Sequence, residues 1–397
     1  MKVACVGGGP ANLYFSILMK RVDPSYDITV YERNPAGSTY GWGVTYWDEL
    51  VNNLHGADPE SARTILEGSV RWDSWVVHVQ DRTTVTLNHG DEGFGIGRHD
   101  LLGILAERAR SLGVRIEYER EIADEDELAD ADLVIAGDGI NSGLRERHAA
   151  HFGTEVTVGR NMYTWLGTTK IFDAFTFAFV ETAYGWIWCY GYGFGKEHST
   201  CVVECFPETW SGLGLDQANE ADSLGLLEKL FADILDGHPL IGRTQPDGSA
   251  RWQNFRTLTN RRWYHGNLVL IGDAAHTTHY SVGAGTALAL GDAAFLVDAL
   301  RGDARLPDAL ARYERRRRSA IRPTQRAARR SAQWYESLPR YVNLPPEQLF
   351  TLLGRRHSRL LPYLPPWLYY RIGQAGMRIA SLTSRIGRTR AAADPGE

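Results

Sequence analysis

Residues 2–21, KVACVGGGPANLYFSILMKR, constrain the fold of this 397-residue chain more than any other stretch. Lys2 to Val6 reads as a short buried strand, three glycines follow, and Pro10 to Arg21 carries an apolar helical pattern. A second buried strand, Asp27 to Tyr31, ends in Glu32. A strand, a tight glycine turn, a helix and a second strand close together only as a βαβ unit, so the chain begins a parallel sheet. In that turn Gly7 permits the bend, and Gly9 lets the backbone approach a pyrophosphate at the start of the helix. Glu32, twenty positions after Asn12, stands where a carboxylate accepts hydrogen bonds from a ribose. Asn12 occupies the place of the usual third glycine, which predicts a slightly wider spacing between helix and strand.

Further along, a helix is expected at 100–112, a strand at 114–118, and a buried strand in ADLVIAGDG, 131–139, ending at Asp138. From about 156 to 206 the runs become alternating and aromatic, as in FTFAFVET and YGWIWCYGYGF, which predicts an antiparallel sheet. A helical stretch near 220–236 follows. GNLVLIGDAAH, 266–276, restores the buried strand and leads into a helix over 285–300, and prolines interrupt the helices of the remainder. The expected fold is α/β: a discontinuous dinucleotide domain of residues 1–70, 94–155 and 255–320, an inserted, mainly antiparallel substrate domain of 71–93 and 156–254, and a C-terminal helical region, 321–397.

Formal net charge is −5 and the isoelectric point near 6.2, so no global basic field points to nucleic acid. The basic run YERRRRSAIRPTQRAARRS spreads its arginines over several helix faces and reads as a solvated or salt-bridged helix, with a nucleic-acid or CoA-phosphate patch as the rival. No apolar stretch approaches the roughly 20 residues of a membrane span, and the chain enters a strand at once, leaving no room for a leader. A cytoplasmic protein is expected, its four cysteines being buried thiols. The apolar tail, LLPYLPPWLYYRIGQAGMRIASL, is expected to be a lid, a homo-oligomer contact or simple packing.

Asp273 ends a buried strand, where it meets a flexible polyol, and the backbone of Val282 to Thr286 offers N–H groups to an anionic ring edge. Trp186, Trp188, Tyr190 and Tyr192 share one strand face, as the wall of a pocket for a flat ligand or as sheet core. His276 and His279 have the spacing of metal ligands but lie in a loop with no evident third ligand, so no metal site is expected.

Taken together, the N-terminal fingerprint, YERN, GWGV, GIGRHDLLGILAERA, DAFTFAF, NRRWYHGN and GDAAHTTHYSVGAGT resemble the single-component FAD-dependent aromatic hydroxylases of the p-hydroxybenzoate hydroxylase fold. They are most similar to the salicylyl-CoA 5-hydroxylase and aminobenzoyl-CoA monooxygenase group, over roughly residues 1–340. The resemblance implies a Rossmann-like FAD domain with Gly7, Gly9, Pro10, Ala11 and Asn12 at the pyrophosphate and Glu32 and Arg33 at the adenosine end. It places Arg98 at the pyrophosphate or ribityl region and Asp273 at the ribityl chain. Trp42, Gly43 and Val44 border the isoalloxazine, opposite Gly283, Ala284, Gly285 and Thr286. Asp138 and Gly272 complete the cofactor set, and His279 and Tyr280 stand beside the ring. Tyr46, Trp47, Trp188 and Tyr190 are expected to hold the substrate.

The implied reaction consumes NAD(P)H, bound transiently, and O2, and transfers one oxygen from a flavin C4a-hydroperoxide to an electron-rich ring. The chain departs from the group at Thr45, Tyr46 and Trp47 and at Ala287, beside the expected substrate chamber. The substrate is therefore read as a natural-product phenol, hydroxypyridine or indole, with an aromatic CoA thioester as the alternative. A flavin-binding protein without turnover is the alternative from another class.

Overall fold

The computed structural model describes residues 1–38, 41–79, 82–242, 251–302 and 305–374. Residues 243–250 of the expected substrate domain and 375–397 of the expected tail lie outside these.

The opening unit forms as its sequence dictates, with a strand Lys2–Val6, a helix Pro10–Val22 and a strand Asp27–Glu32. Lys2–Val6 pairs in parallel with Asp27–Glu32 on one side and with Leu133–Ala136 on the other. Leu268–Leu270 extends the sheet in parallel beyond Leu133–Ala136, and Arg115–Tyr118 does so beyond Asp27–Glu32. The short strand Tyr264–His265 closes one edge antiparallel. Its central strands are near-continuous apolar runs, as in a sheet buried on both faces. The helices Pro10–Val22, Arg98–Ser111 and Gly285–Leu300 bury Leu13, Phe15, Ile17, Leu105, Leu290 and Leu296 in one core with Val3, Val30 and Ile135.

A nine-stranded sheet forms the second layer. Its order is Leu240–Ile241, Glu155–Thr168, Ser199–Cys205, Gly185–Gly193, Phe175–Thr182, Val70–Val79, Arg82–Gly97 and Gly43–Trp47, with Gln253–Thr259 also paired to Glu155–Thr168. The pairing is antiparallel except between Val70–Val79 and Phe175–Thr182. Several strands of this sheet depart from the expected domain limits, Gly43–Trp47 and Gln253–Thr259 among them. Gly43–Trp47 belongs to this sheet by its pairing with Gly93–Gly97, and Gln253–Thr259 runs through the limit at 254/255. Both are short extended runs whose partners are distant in sequence, so local pattern does not reveal the sheet they join.

In Gly185–Gly193 the period of two sorts the side chains as expected. Trp186, Trp188 and Tyr190 enter one apolar cluster, and Ile187 and Cys189 enter another with Leu227 and Phe231. The first cluster is covered by the described C-terminal region. The helix Leu306–Glu336 supplies Trp334 and Tyr335, and the helix Pro346–Gly354 supplies Leu349, Phe350, Leu352 and Leu353. Among the described residues no helix is long and apolar enough to cross a membrane.

Candidate functional site

A cavity of about 820 Å³ runs between the two sheets. One end is made by loops at the carboxyl ends of the parallel strands, where open α/β sheets bind ligands: Gly7 to Ala11, Glu32 to Asn34, Gly137 to Asn141, and Gly272 with Asp273. The other end is an aromatic chamber on the large sheet, walled by Trp47, Trp75, Tyr163, Trp165, Phe175, Phe177, Tyr190 and Tyr192.

At the first end Gly7 has φ +101°, and a Cβ there would lie 2.6 Å from the Gly137 carbonyl oxygen. Only glycine fits. The helix beginning at Pro10 has no side-chain cap and no acidic residue in its first turn, so its free N–H groups and positive dipole end are left for an anion. Glu32 accepts from Gly8 N at 2.6 Å and from Asn34 N at 2.9 Å, which fixes its carboxylate at the rim beside Arg33. Asp138 accepts from Gly143 N at 2.9 Å, and its Oδ1 is buried without a partner. Burial raises its carboxyl above the usual range.

Arg98 and Asp273 occupy the middle of the cavity. The Arg98 Nε is buried and unpartnered, and burial lowers the guanidinium although Asp273 opposes this. Asp273 is exposed into the cavity, yet the surrounding protein withholds enough solvent to raise its carboxyl, with Arg98 and His276 pulling it back down. Nearby the helix Gly285–Leu300 also starts uncapped. Gly283, with φ +61°, approaches the strand Gly43–Trp47 so closely that a Cβ would lie 2.6 Å from Thr45 Oγ1. Gly43, Val44, Gly272, Ala284, Gly285 and Thr286 line the same stretch.

Five expected site residues do not line the cavity. Asn12 is fully buried and turns its amide to Val6 O and Gly7 O, each at 2.8 Å. Trp42 packs its ring where a Cβ on Gly167 would fall and lies 6.2 Å from the His198 ring. Tyr46 points to the opposite face of its strand from Thr45 and Trp47, stacks on Phe94 at 5.2 Å and bonds Ser69 Oγ at 2.5 Å. Trp188 sits behind Tyr190, wholly buried, with its Nε1 donating to the Tyr190 hydroxyl at 3.0 Å. His279 lies beneath Tyr280, its Nδ1 2.8 Å from Ser281 Oγ, and burial beside Arg356 lowers its ring to about 3. Trp47, Tyr190 and Tyr280 do line the chamber.

Sequence reasoning missed three groups. Glu204 is 1% exposed: its Oε1 accepts from Asn161 Nδ2, and its Oε2 from the hydroxyls of both Tyr190 and Tyr280, each at 2.7 Å. Burial raises its carboxyl, against the pull of those bonds. Arg356 lines the chamber from the C-terminal region. Asp292, beneath the glycine loop, accepts from Gly272 N at 2.8 Å, His276 Nε2 at 3.0 Å and Arg317 Nε at 2.6 Å. Burial pushes the Asp292 carboxyl up, but His276 and Arg317 outweigh this and hold it below the usual range. His276 thus serves Asp292, and among the described residues no His, Cys, Asp and Glu group is arranged to hold a metal ion. One signal was available for Glu204: a charged residue inside the apolar strand run STCVVEC is rarely buried without a role.

The FAD binding domain family profile matches residues 45–328. Salicyloyl-CoA 5-hydroxylase from Streptomyces sp. is 38% identical over 378 residues, covering 90% of this chain and 70% of that protein. The 3-hydroxy-4-methyl-anthranilyl-(aryl-carrier protein) 5-monooxygenase of Streptosporangium sibiricum is 36% identical, covering 91% of this chain and 95% of that protein. Among solved structures, the tetrameric form of 2-methyl-3-hydroxypyridine-5-carboxylic acid oxygenase aligns with a TM-score of 0.66 at 20% identity, covering 85% of this chain and 91% of that one. That likeness is one of fold.

Proposed function

The chain belongs to the FAD binding domain family as an FAD-dependent, NAD(P)H-consuming aromatic monooxygenase, and from that premise we propose that it hydroxylates an electron-rich aromatic or heteroaromatic natural-product intermediate held in the chamber of the large sheet. The observation that carries this reading is the continuity of one cavity from the glycine-lined phosphate cradle to that aromatic wall.

The chain's own residues fit FAD. The uncapped start of the first helix and the space kept by Gly7 suit a pyrophosphate, the fixed Glu32 carboxylate suits the ribose, and the unpartnered Arg98 Nε and Asp138 Oδ1 await polar partners beside it. Bound there, the cofactor supplies the chemistry by which NAD(P)H and O2 place one oxygen atom on a ring. With FAD bound, Arg98 and Asp273 would hold the ribityl region, and the backbone at Gly283 to Thr286, together with Val44 and Thr45, would hold the flavin ring. Trp47, Tyr190 and Tyr280 orient the substrate, and the apolar wall excludes water so that oxygen reaches the ring and not solvent.

A second reading, an aryl thioester as substrate, is favoured by the activities for which two relatives are named, one on a CoA thioester and one on an aryl-carrier protein. The same reading takes the enzyme as cytoplasmic, in keeping with four free, buried cysteines. It also takes the enzyme as a homo-oligomer, with the C-terminal helical region as lid or contact. The test is the release of FAD on denaturation together with NAD(P)H oxidation stimulated by phenols, hydroxypyridines, indoles or aromatic CoA thioesters. Stimulation by none of these would reject the substrate class.

A further inference from the structure

Among the described residues, neither Glu204 nor Arg356, both buried at the chamber, pairs with an opposite charge. Glu204 has only neutral partners, the Asn161 amide and the hydroxyls of Tyr190 and Tyr280. Arg356, 7% exposed, likewise has only neutral ones: Nε donates to Ser331 Oγ at 2.9 Å, and its two terminal nitrogens donate to Leu353 O at 2.9 Å and Ser281 O at 2.8 Å. An isolated buried charge is costly, and proteins that keep one place it where a ligand completes it. Glu204 and Arg356 both bond to the same short turn, since Tyr280 donates to Glu204 and the carbonyl of the next residue, Ser281, accepts from Arg356.

The two ends differ in what they offer. Tyr190 and Tyr280 give their hydroxyl protons to Glu204, so toward the cavity they present oxygen lone pairs. Tyr190 already accepts from Trp188, which leaves Tyr280 as the open acceptor. Arg356 has five N–H donors and spends three. It also lies over the Trp75 ring at 5.8 Å, a wall of the chamber. Two further cavity arginines, Arg251 and Arg256, differ in being exposed, and Arg256 donates to Asn141 at 2.8 Å.

We propose that Tyr280, backed by Glu204, and Arg356 form a substrate-reading axis for an aromatic ring bearing both a hydrogen-bond donor, hydroxyl or amino, and a carbonyl-type acceptor oxygen. The donor meets the Tyr280 hydroxyl oxygen and the acceptor meets the Arg356 guanidinium. A ring with only one of these groups leaves the other end of the axis unpaired in a water-poor chamber, which is the arrangement that gives strong discrimination. The axis rests on the aromatic-substrate reading above and narrows it.

The experiment is calorimetric titration of the oxidised holoenzyme, without NAD(P)H, using the three isomeric hydroxybenzamides, phenol and benzamide. The wild type should bind the best hydroxybenzamide about tenfold or more tighter than either single-group probe. Tyr280→Phe and Glu204→Gln should erase the advantage over benzamide and keep that over phenol. Arg356→Met should do the reverse, and if it fails to fold, Arg356→Lys, which loses the planar fork, should reduce the advantage over phenol alone. Equal or undetectable binding of all probes by the wild type overturns the axis, as does a parallel loss for every probe in both sets of variants. A protein that holds FAD and consumes NAD(P)H with aromatic compounds, yet gives either of those results, retains the function proposed above. A protein that purifies unable to hold FAD fails that reading, and the axis with it.

Discussion

Asn12 donates from its side-chain amide to the carbonyl oxygen of Gly7 at 2.8 Å, and the same nitrogen reaches Val6 O at 2.8 Å. The residue that departs from the glycine pattern is therefore a brace for the turn, placed behind it. A Cβ on Gly137 would come within 2.6 Å of the Asn12 Nδ2, so the amide also fills the space between turn and neighbouring strand. Asn12→Gly, which restores the commoner residue, should lower stability by about 2 kcal/mol through two lost hydrogen bonds and a buried void. Urea denaturation measures this. An unchanged midpoint would show that the brace contributes nothing.

Asp273 shares the middle of the cavity with Arg98, whose charge acts on it. Asp273→Ala should weaken FAD retention by about 1 to 3 kcal/mol, the worth of a charge-assisted hydrogen bond, and leave the thermal transition of the apoprotein nearly in place. Equilibrium dialysis of apoprotein against FAD reads the first effect. Equal affinity in variant and wild type would remove Asp273 from the cofactor site.

Trp188 and Tyr190 belong to one strand face but have different surroundings, and their truncations should separate. Tyr190→Ala opens the chamber wall, so NAD(P)H oxidation should persist while product per NAD(P)H falls severalfold and hydrogen peroxide rises. Trp188→Ala empties a wholly buried site between Phe206 and Tyr335, and its main effect should be a stability loss of about 3 to 5 kcal/mol. The product-to-peroxide ratio at matched FAD occupancy decides the matter. A Tyr190→Ala enzyme with the wild-type ratio would make that residue sheet core only.

His279 is held neutral by burial and by the Arg356 charge, with its ring lowered to about 3 from 6.5. The unfolded chain therefore binds a proton that the folded one refuses throughout that window. Stability should fall as pH drops from 6.5 toward 3, with a slope from this ring of at most about 1.4 kcal/mol per pH unit. Replacing His279 by Asn should flatten the profile over the same window. A profile unchanged by the substitution would mean that the ring is already protonated in the folded protein.

Much of the glycine-lined end of the cavity is legible because its signals are local. Gly7, Gly9 and Glu32, which line it, lie on a backbone turn and a strand end written within one βαβ unit. The helix expected over 285–300 forms as Gly285–Leu300 for the same reason. The chamber was less legible, because strand alternation gives two faces without saying which one meets the ligand. Thr45 and Trp47 line the cavity while Tyr46 turns away, and Tyr190 lines it while Trp188, on the same strand face, does not and instead donates to the Tyr190 hydroxyl. Glu204, Asn161 and Arg356 come from three distant segments, and no spacing rule joins them. The basic run resolves partly into structure, with Arg316 pairing with Asp298 and Arg317 with the buried Asp292.

Labelled dioxygen reports whether this protein inserts one atom of O2 into an aromatic ring bound in the chamber. The FAD-loaded enzyme is supplied with NAD(P)H under isotopically labelled dioxygen and given the hydroxybenzamides together with phenols, hydroxypyridines and indoles, and the products are read by mass spectrometry. The expected outcome is a ring product carrying one labelled oxygen atom, formed from a compound that also stimulates NAD(P)H oxidation. NAD(P)H consumption that ends wholly in hydrogen peroxide with every ring, or a product whose new oxygen comes from water, would contradict it.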